Sequence, residues 1–214
     1  VTANRTMPQS STPARKKPHR YHHGDLREAL VEAGFAMTER EGVDAVTFSA
    51  LAKRLDVSQA APYRHFKDRE ELLAAVATKA FRETGEELRQ KLRRRTKKSP
   101  LALIAHTYLE LGLTRKTLYR LMYASHILGR SPATSELYRA ADEGFDLILA
   151  AIDPALDEMA RRRFALKFWT SLHGIVMLAE EGILPPKIHK ISVKELADEL
   201  VRDTEIAIAA AGGR

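Results

Sequence analysis

The stretch LDVSQAAPYRHF, Leu55 to Phe66, decides the reading of this chain. It is poor in large apolar side chains and carries Pro62 in its middle, so it does not read as a core helix. It shares Leu55 with the preceding FSALAKRL, where Phe48, Leu51, Ala52 and Leu55 fall at the three- and four-residue spacing of one buried helix face. Thr47 is placed to cap that helix, and Ser58 to cap a second one carrying QAAPYRHF. Pro62 stands near the start of the second helix, where a missing N–H costs little. Two short helices joined by a tight turn at Asp56-Val57-Ser58 make a helix-turn-helix, a unit that sets its second helix into the major groove of DNA.

The side chains suit that geometry. Gln59, Ala60 and Ala61 form a slim end: glutamine pairs with adenine in bidentate fashion, and alanine methyls can touch a thymine methyl. Tyr63, His65 and Lys67 are donors for backbone phosphates, and Arg64 can serve either purpose. Thr47 and Ser49 add hydroxyls at the start of the preceding helix. A polar surface helix would explain any one of these residues; the whole set together points to DNA.

Outward from this unit the pattern stays helical. Leu26, Leu30, Ala33 and Met37 share one face of a helix that Gly42 stops, and another helix begins near Arg69 with Leu72, Leu73 and Val76 inward. After the charged break RRRTKKSP, helices are expected at about 100–112, 115–128, 134–152, 155–182 and 192–211. Gly112, GRSP, Asp153-Pro154 and Leu184–Pro186 are the breaks. No alternating strand pattern or internal repeat occurs. The last two helices are apolar over a broad face, Phe164, Phe168, Leu172, Ile175 and Leu178 on one and Leu196, Leu200 and Ile206 on the other, which suits a bundle and a subunit contact.

Composition agrees with this. The 214 residues are 44% hydrophobic and 29% charged, as in a chain with a proper core, and the net charge of +7 favours a polyanionic partner. Five basic residues, Arg5, Arg15, Lys16, Lys17 and Arg20, precede the first acid, Asp25, among prolines and hydroxyl residues; this reads as a disordered basic arm. The segment has no apolar core of a signal peptide, and no run is long enough to span a membrane, so a cytoplasmic chain without a membrane partner is expected. Seven basic residues between Arg89 and Lys98 read first as a helix end favoured by its dipole, and only second as a DNA contact. There is no cysteine, no H-E-x-x-H, no glycine-rich phosphate loop and no G-x-S-x-G. No metal, no cofactor and no catalytic residue is expected.

The run TEREGVDAVTFSALAKRLDVSQAAPYRHFKDREELLAAV closely resembles the DNA-binding region of TetR-type (TetR/AcrR) transcriptional regulators. The shared features are Gly42, Thr47, Leu51-Ala52, the turn before Ser58, Tyr63-x-His65-Phe66 and a charged residue before the next helix. The turn glycine of the family is Asp56 here, a residue that tolerates left-handed geometry. The resemblance covers about residues 24–84. By position it implies that Gln59 and Ala60 face bases, with Thr47, Ala61, Tyr63, His65 and Lys67 near phosphates. YHHGDLREAL and Trp169-x-x-x-His173-Gly174 resemble one branch of the family. Trp169 and His173 share a helix face, and Gly174 permits close helix approach; a packing motif is the favoured reading and a ligand contact the second.

The resemblance implies an all-α chain in three parts: a basic arm at 1–23, a three-helix DNA-binding domain with its helix-turn-helix at 24–84, and a C-terminal helical bundle at 85–214 that forms the dimer and a ligand pocket. It implies a repressor of double-stranded operator DNA, released by a small-molecule effector, and a homodimer formed through residues 155–182 and 192–211. His106, Tyr123, His126, Trp169 and His173 are the candidate ligand residues. An activator of the same type is the alternative, as is a helical adaptor that binds protein instead of DNA. A helical enzyme lacks a convergent set of acids and bases.

Overall fold

A computed structural model describes residues 23–184 and 190–212. Every regular element among them is helical: α1 His23–Glu41, α2 Phe48–Arg54, α3 Arg69–Arg93, α4 Pro100–Thr114, α5 Lys116–Tyr119, α6 Ile127–Arg130, α7 Glu136–Ala150, α8 Glu158–Glu180 and α9 Val193–Gly212. A π turn, Arg120–Ala124, joins α5 to α6. The basic arm lies outside the described residues apart from His23, the first residue of α1, and so does His189.

The N-terminal unit packs α1 against α3, with α2 across them. Leu30, Val46, Leu51, Leu72 and Val76 are fully buried between these helices, as the three- and four-residue spacing requires. Gly42 ends α1 with φ 91°, a conformation that glycine reaches without strain. Thr47 caps α2 by accepting a hydrogen bond from the Ala50 N–H at 3.1 Å. Asp68 caps α3 in the same way through the Glu71 N–H at 2.8 Å.

α3 is the longest helix among the described residues, and its 25 residues continue from this unit into the C-terminal bundle. The expected boundary at 84/85 therefore falls inside a continuous helix. In the bundle α3 packs on α7, α4 on α8, and α9 covers α4 and α8. Phe168, Leu172 and Val176 of α8 are fully buried there, with Leu118, Tyr119 and Leu121 from the segment around α5.

Gly112 differs from the expectation. It does not break α4, which runs on to Thr114; it is buried where α4 meets α8. A methyl at this position would overlap Val176 Cγ1 and crowd Val176 Cβ at 3.2 Å, and Val176 is β-branched and fully enclosed. Glycine here sets the distance between two helices. Gly112→Ala should destabilise the fold by roughly 1–3 kcal/mol, the usual range for overpacking. Urea unfolding of the two proteins measures this, and equal midpoints would refute it. Gly174, expected to allow close approach, has no atom within 4 Å of where its side chain would stand. It lies on the outer side of α8.

Candidate DNA interface and ligand cavity

The turn after α2 is built by hydrogen bonds. The Asp56 N–H donates to Lys53 O at 3.4 Å and the Val57 N–H to Ala52 O at 3.0 Å, the paired bonds of a Schellman cap. Such a cap places its central residue in the left-handed region, and Asp56 has φ 53°. The aspartate thus fills the role of the turn glycine.

The second helix of the motif is shorter than the sequence suggested. Ser58 makes no side-chain cap, and the only regular turn between it and α3 is a 3-10 turn at Pro62–Arg64. Pro62 has no N–H to give to Ser58 O, the acceptor that an α-helix would assign to it. Ser58 O accepts from Ala61 at 2.9 Å, and the next bonds, Arg64 to Ala61 O and His65 to Pro62 O, keep the tighter three-residue step. Two side chains anchor the segment. Phe66 is 1% exposed, with the Arg27 guanidinium 5.0 Å above its ring. The Tyr63 ring meets Phe48 edge-on at 4.6 Å while 64% of the residue stays exposed.

Thr47, Ser49, Gln59, Ala60, Tyr63, Arg64 and Lys67 are all exposed, and Ala61 and His65 are half-buried. The nine residues named from the sequence thus lie in the α2–α3 segment with seven of them open to solvent. One residue missed by sequence reasoning supports them from behind. Arg69 donates from Nε to Val46 O at 2.7 Å and from Nη2 to Val43 O at 2.6 Å, tying the start of α3 to the loop before α2. An arginine next to Asp68 and Glu70 gave no sign of this, because its acceptors are carbonyls more than twenty residues away.

A second feature is a cavity of about 610 Å³ among α3, α4, the π turn, α7 and α8. Its volume is in the usual range for a small-molecule site. Tyr123, Trp169 and His173 line it, as expected of ligand residues. His106 and His126 do not. His106 points from α4 to α9, with Nε2 2.6 Å from Asp198 Oδ1 and Nδ1 2.9 Å from Lys98 Nζ. Asp198 also accepts from Lys194 Nζ at 2.7 Å, and the bonds from Lys194 and His106 hold its carboxyl down at about 2. His126 is exposed at the left-handed residue before α6, φ 61°.

The cavity has a polar end that the sequence did not reveal. Tyr108 Oη lies 2.9 Å and Tyr119 Oη 2.7 Å from the same atom, His173 Nδ1, and the two hydroxyls are 3.4 Å apart. Tyr108 and Tyr119 come from segments 65 and 54 residues away from His173, so no spacing pattern links them. Burial pushes the Tyr108 and Tyr123 hydroxyls well above the ordinary phenol range and Tyr119 to about 12, and it lowers His173. This end of the cavity is therefore uncharged at neutral pH. Trp169 stacks on His173 with ring centroids 5.8 Å apart, so the Trp-x-x-x-His pair both packs and lines the cavity.

The basic run is mostly engaged at its start. Arg89 reaches Glu143 at 3.3 Å, Lys91 reaches Glu110 at 3.0 Å and Arg93 reaches Glu86 at 2.9 Å, which fits the reading as a charged helix end.

Comparison with known proteins joins the two features. Residues 30–76 match the family model of bacterial regulatory proteins of the tetR family, and residues 101–204 match a tetracyclin repressor-like C-terminal domain. A curated relative, the uncharacterized HTH-type transcriptional regulator Rv0681 of Mycobacterium tuberculosis, is 27% identical over 168 residues, 74% of this chain and 72% of the relative. Among solved structures, a protein of unknown function from Rhodococcus sp. RHA1 is 28% identical with a TM-score of 0.69, covering 86% of this chain and 96% of that one. RolR, solved in complex with resorcinol, shares the fold at 18% identity and a TM-score of 0.59, over 84% of this chain and 87% of its own. With both family models matched in order along the chain, the protein belongs to the TetR family of transcriptional regulators and carries its helix-turn-helix DNA-binding domain.

Proposed function

We propose that this regulator is a homodimeric repressor, acting in the cytoplasm, that leaves its operator when a small molecule enters the cavity. The observation that carries the reading is the course of α3. This helix begins two residues after Lys67, at the DNA segment, and further along Phe81 and Leu88 of the same helix line the cavity. A ligand that favours one position of α3 also biases the reading segment, and coupling of this kind is reciprocal. The resorcinol held by RolR supports a small-molecule occupant. Dimerisation through α8 and α9 rests on their outer faces, where Leu178 and Ile206 are exposed.

In this reading Gln59 and Ala60 face base edges, Arg64 serves bases or phosphates, and Thr47, Ser49, Ala61, Tyr63, His65 and Lys67 position the backbone. Lys67→Ala should weaken binding to all DNA sequences alike and reduce the slope of log K against log salt by about 1. Gln59→Ala should relax preference at one base pair per half-site, costing about 1–3 kcal/mol there. Binding-site selection with both variants tests these roles; a consensus unchanged by Gln59→Ala would remove it from base reading. The decisive experiment is transcription from the selected operator in a reconstituted system. Repression that ligand relieves supports the proposal, and activation by the protein would reverse its sign.

A further inference from the structure

The chemistry of the cavity narrows what can fill it, given that it is the effector site. At its polar end Tyr108, Tyr123, Trp169 and His173 meet, with Tyr119 behind them. A neutral imidazole offers at Nδ1 either one lone pair or one proton. It can satisfy one of the two hydroxyls that reach it, and the contact between those hydroxyls is long, at 3.4 Å. One of the two hydroxyls converging on Nδ1 is therefore left with only the long contact to the other, and an oxygen arriving from the cavity would give it a better partner. Tyr123 brings a third hydroxyl.

The same end carries no formal charge. Arg162 and Asp142, the charged residues of the lining, are both exposed and lie at the rim, and Arg162 is paired with Glu158 at 3.0 Å. A carboxylate at the polar end would lose its hydration without meeting a cation, and an ammonium would meet no carboxylate. Around the cluster the walls are aromatic and aliphatic. Tyr123 stands edge-on to Phe81 at 5.3 Å, and Leu88, Ile104, Met122 and Ile148 extend the apolar surface beyond the reach of a single ring. Rings in this setting favour edge-on or offset contact with another ring.

We propose that the effector is an uncharged phenol carrying an apolar substituent, its hydroxyl seated on the Tyr108 and Tyr123 hydroxyls beside His173 and its tail along Ile104, Met122 and Ile148. The inference deepens the reading of the cavity as the effector site and depends on it.

Trp169 is the single tryptophan of the chain and lines the cavity, so its fluorescence reports occupancy in the full-length protein. Four probes share one tail: 4-butylphenol, butylbenzene, 4-butylbenzoate and 4-butyl-N,N,N-trimethylanilinium, titrated at pH 7.5. The phenol should bind about tenfold or more tightly than each of the others, the scale of one or two buried hydrogen bonds. Tyr123→Phe, which keeps the ring, should reduce that advantage over butylbenzene to a few-fold at most without changing the affinity for butylbenzene. Circular dichroism checks that the variant is folded. Equal binding of butylbenzene and the phenol would leave the cavity as a ligand site and overturn the phenol. Tightest binding by either ion, or a full phenol advantage in Tyr123→Phe, would also overturn it. Silence of Trp169 toward all four probes would sink the cavity reading itself.

Discussion

Leu178→Glu and Ile206→Glu should each convert the protein to folded monomers that bind operator at least a hundredfold more weakly than the parent. On α8 the residues at Met159, Arg163, Leu166, Thr170, Gly174 and Leu178 succeed one another by three or four and form an outward stripe, with Gly174 only partly covered. On α9 the stripe runs through Glu195, Glu199, Arg202 and Ile206, and Ile206 is 68% exposed. The two helices pack side by side, so the stripes form one surface of mixed charge and apolar groups. A second copy covering it would bury Ile206 and Leu178, and a carboxylate there would cost several kcal/mol. Because both residues are exposed in the single chain, the substitutions should spare its fold. Linked reading heads bind with an avidity of roughly 10²–10⁴ over a single head, and that factor is lost with the dimer. Sedimentation, circular dichroism and operator titration together decide the matter. A dimer that persists in both variants would place the interface elsewhere. Leu172→Glu, an obvious choice from sequence, tests something else: Leu172 is 0% exposed within one chain, so a charge there should unfold the bundle.

That contrast shows how far the sequence could be read. Most helix positions came out well because a three- or four-residue period needs only local information. The helix expected from Ser58, however, is reduced to a 3-10 turn, and the one expected at 115–128 is divided by a π turn and the left-handed His126. Thr47, Gly42 and Asp56 were legible for the same reason, since caps and left-handed turns are local events. The register of a helix within a bundle is not local. Phe164, Phe168, Leu172, Ile175 and Leu178 read as one broad apolar face; the fold divides it, burying Phe168, Leu172 and Ile175 and leaving Leu178 outside. Gly112 and Gly174 show the same limit with opposite outcomes, one pressed on Val176 and the other open. Among the candidate ligand residues, Tyr123, Trp169 and His173 converge, whereas His106 is drawn to Asp198 on α9. Tyr108 and Tyr119, which hold His173, were missed because only the tertiary fold brings them to it.

The other large effect is expected at Phe66. This side chain is fully enclosed, under the Arg27 guanidinium, at the end of the segment between α2 and α3, which has only a 3-10 turn for internal structure. A short 3-10 turn has little stability of its own, so its position depends on what anchors it. Three residues before Phe66, Tyr63 is mostly solvent-exposed and gives the segment a weaker hold through its edge-on contact with Phe48. Phe66→Ala should therefore cost about 3–5 kcal/mol of stability, the range for deleting a buried phenylalanine. It should also abolish operator binding even at temperatures where the C-terminal bundle remains folded, because Gln59 and Lys67 would no longer share a fixed frame. Tyr63→Phe should leave stability nearly unchanged and weaken binding to every DNA sequence by a similar modest factor, as loss of one phosphate donor does. Thermal unfolding followed by circular dichroism, alongside operator titration, separates the two roles. Normal DNA affinity in a Phe66→Ala protein of lowered melting temperature would mean that the segment holds its shape without this anchor.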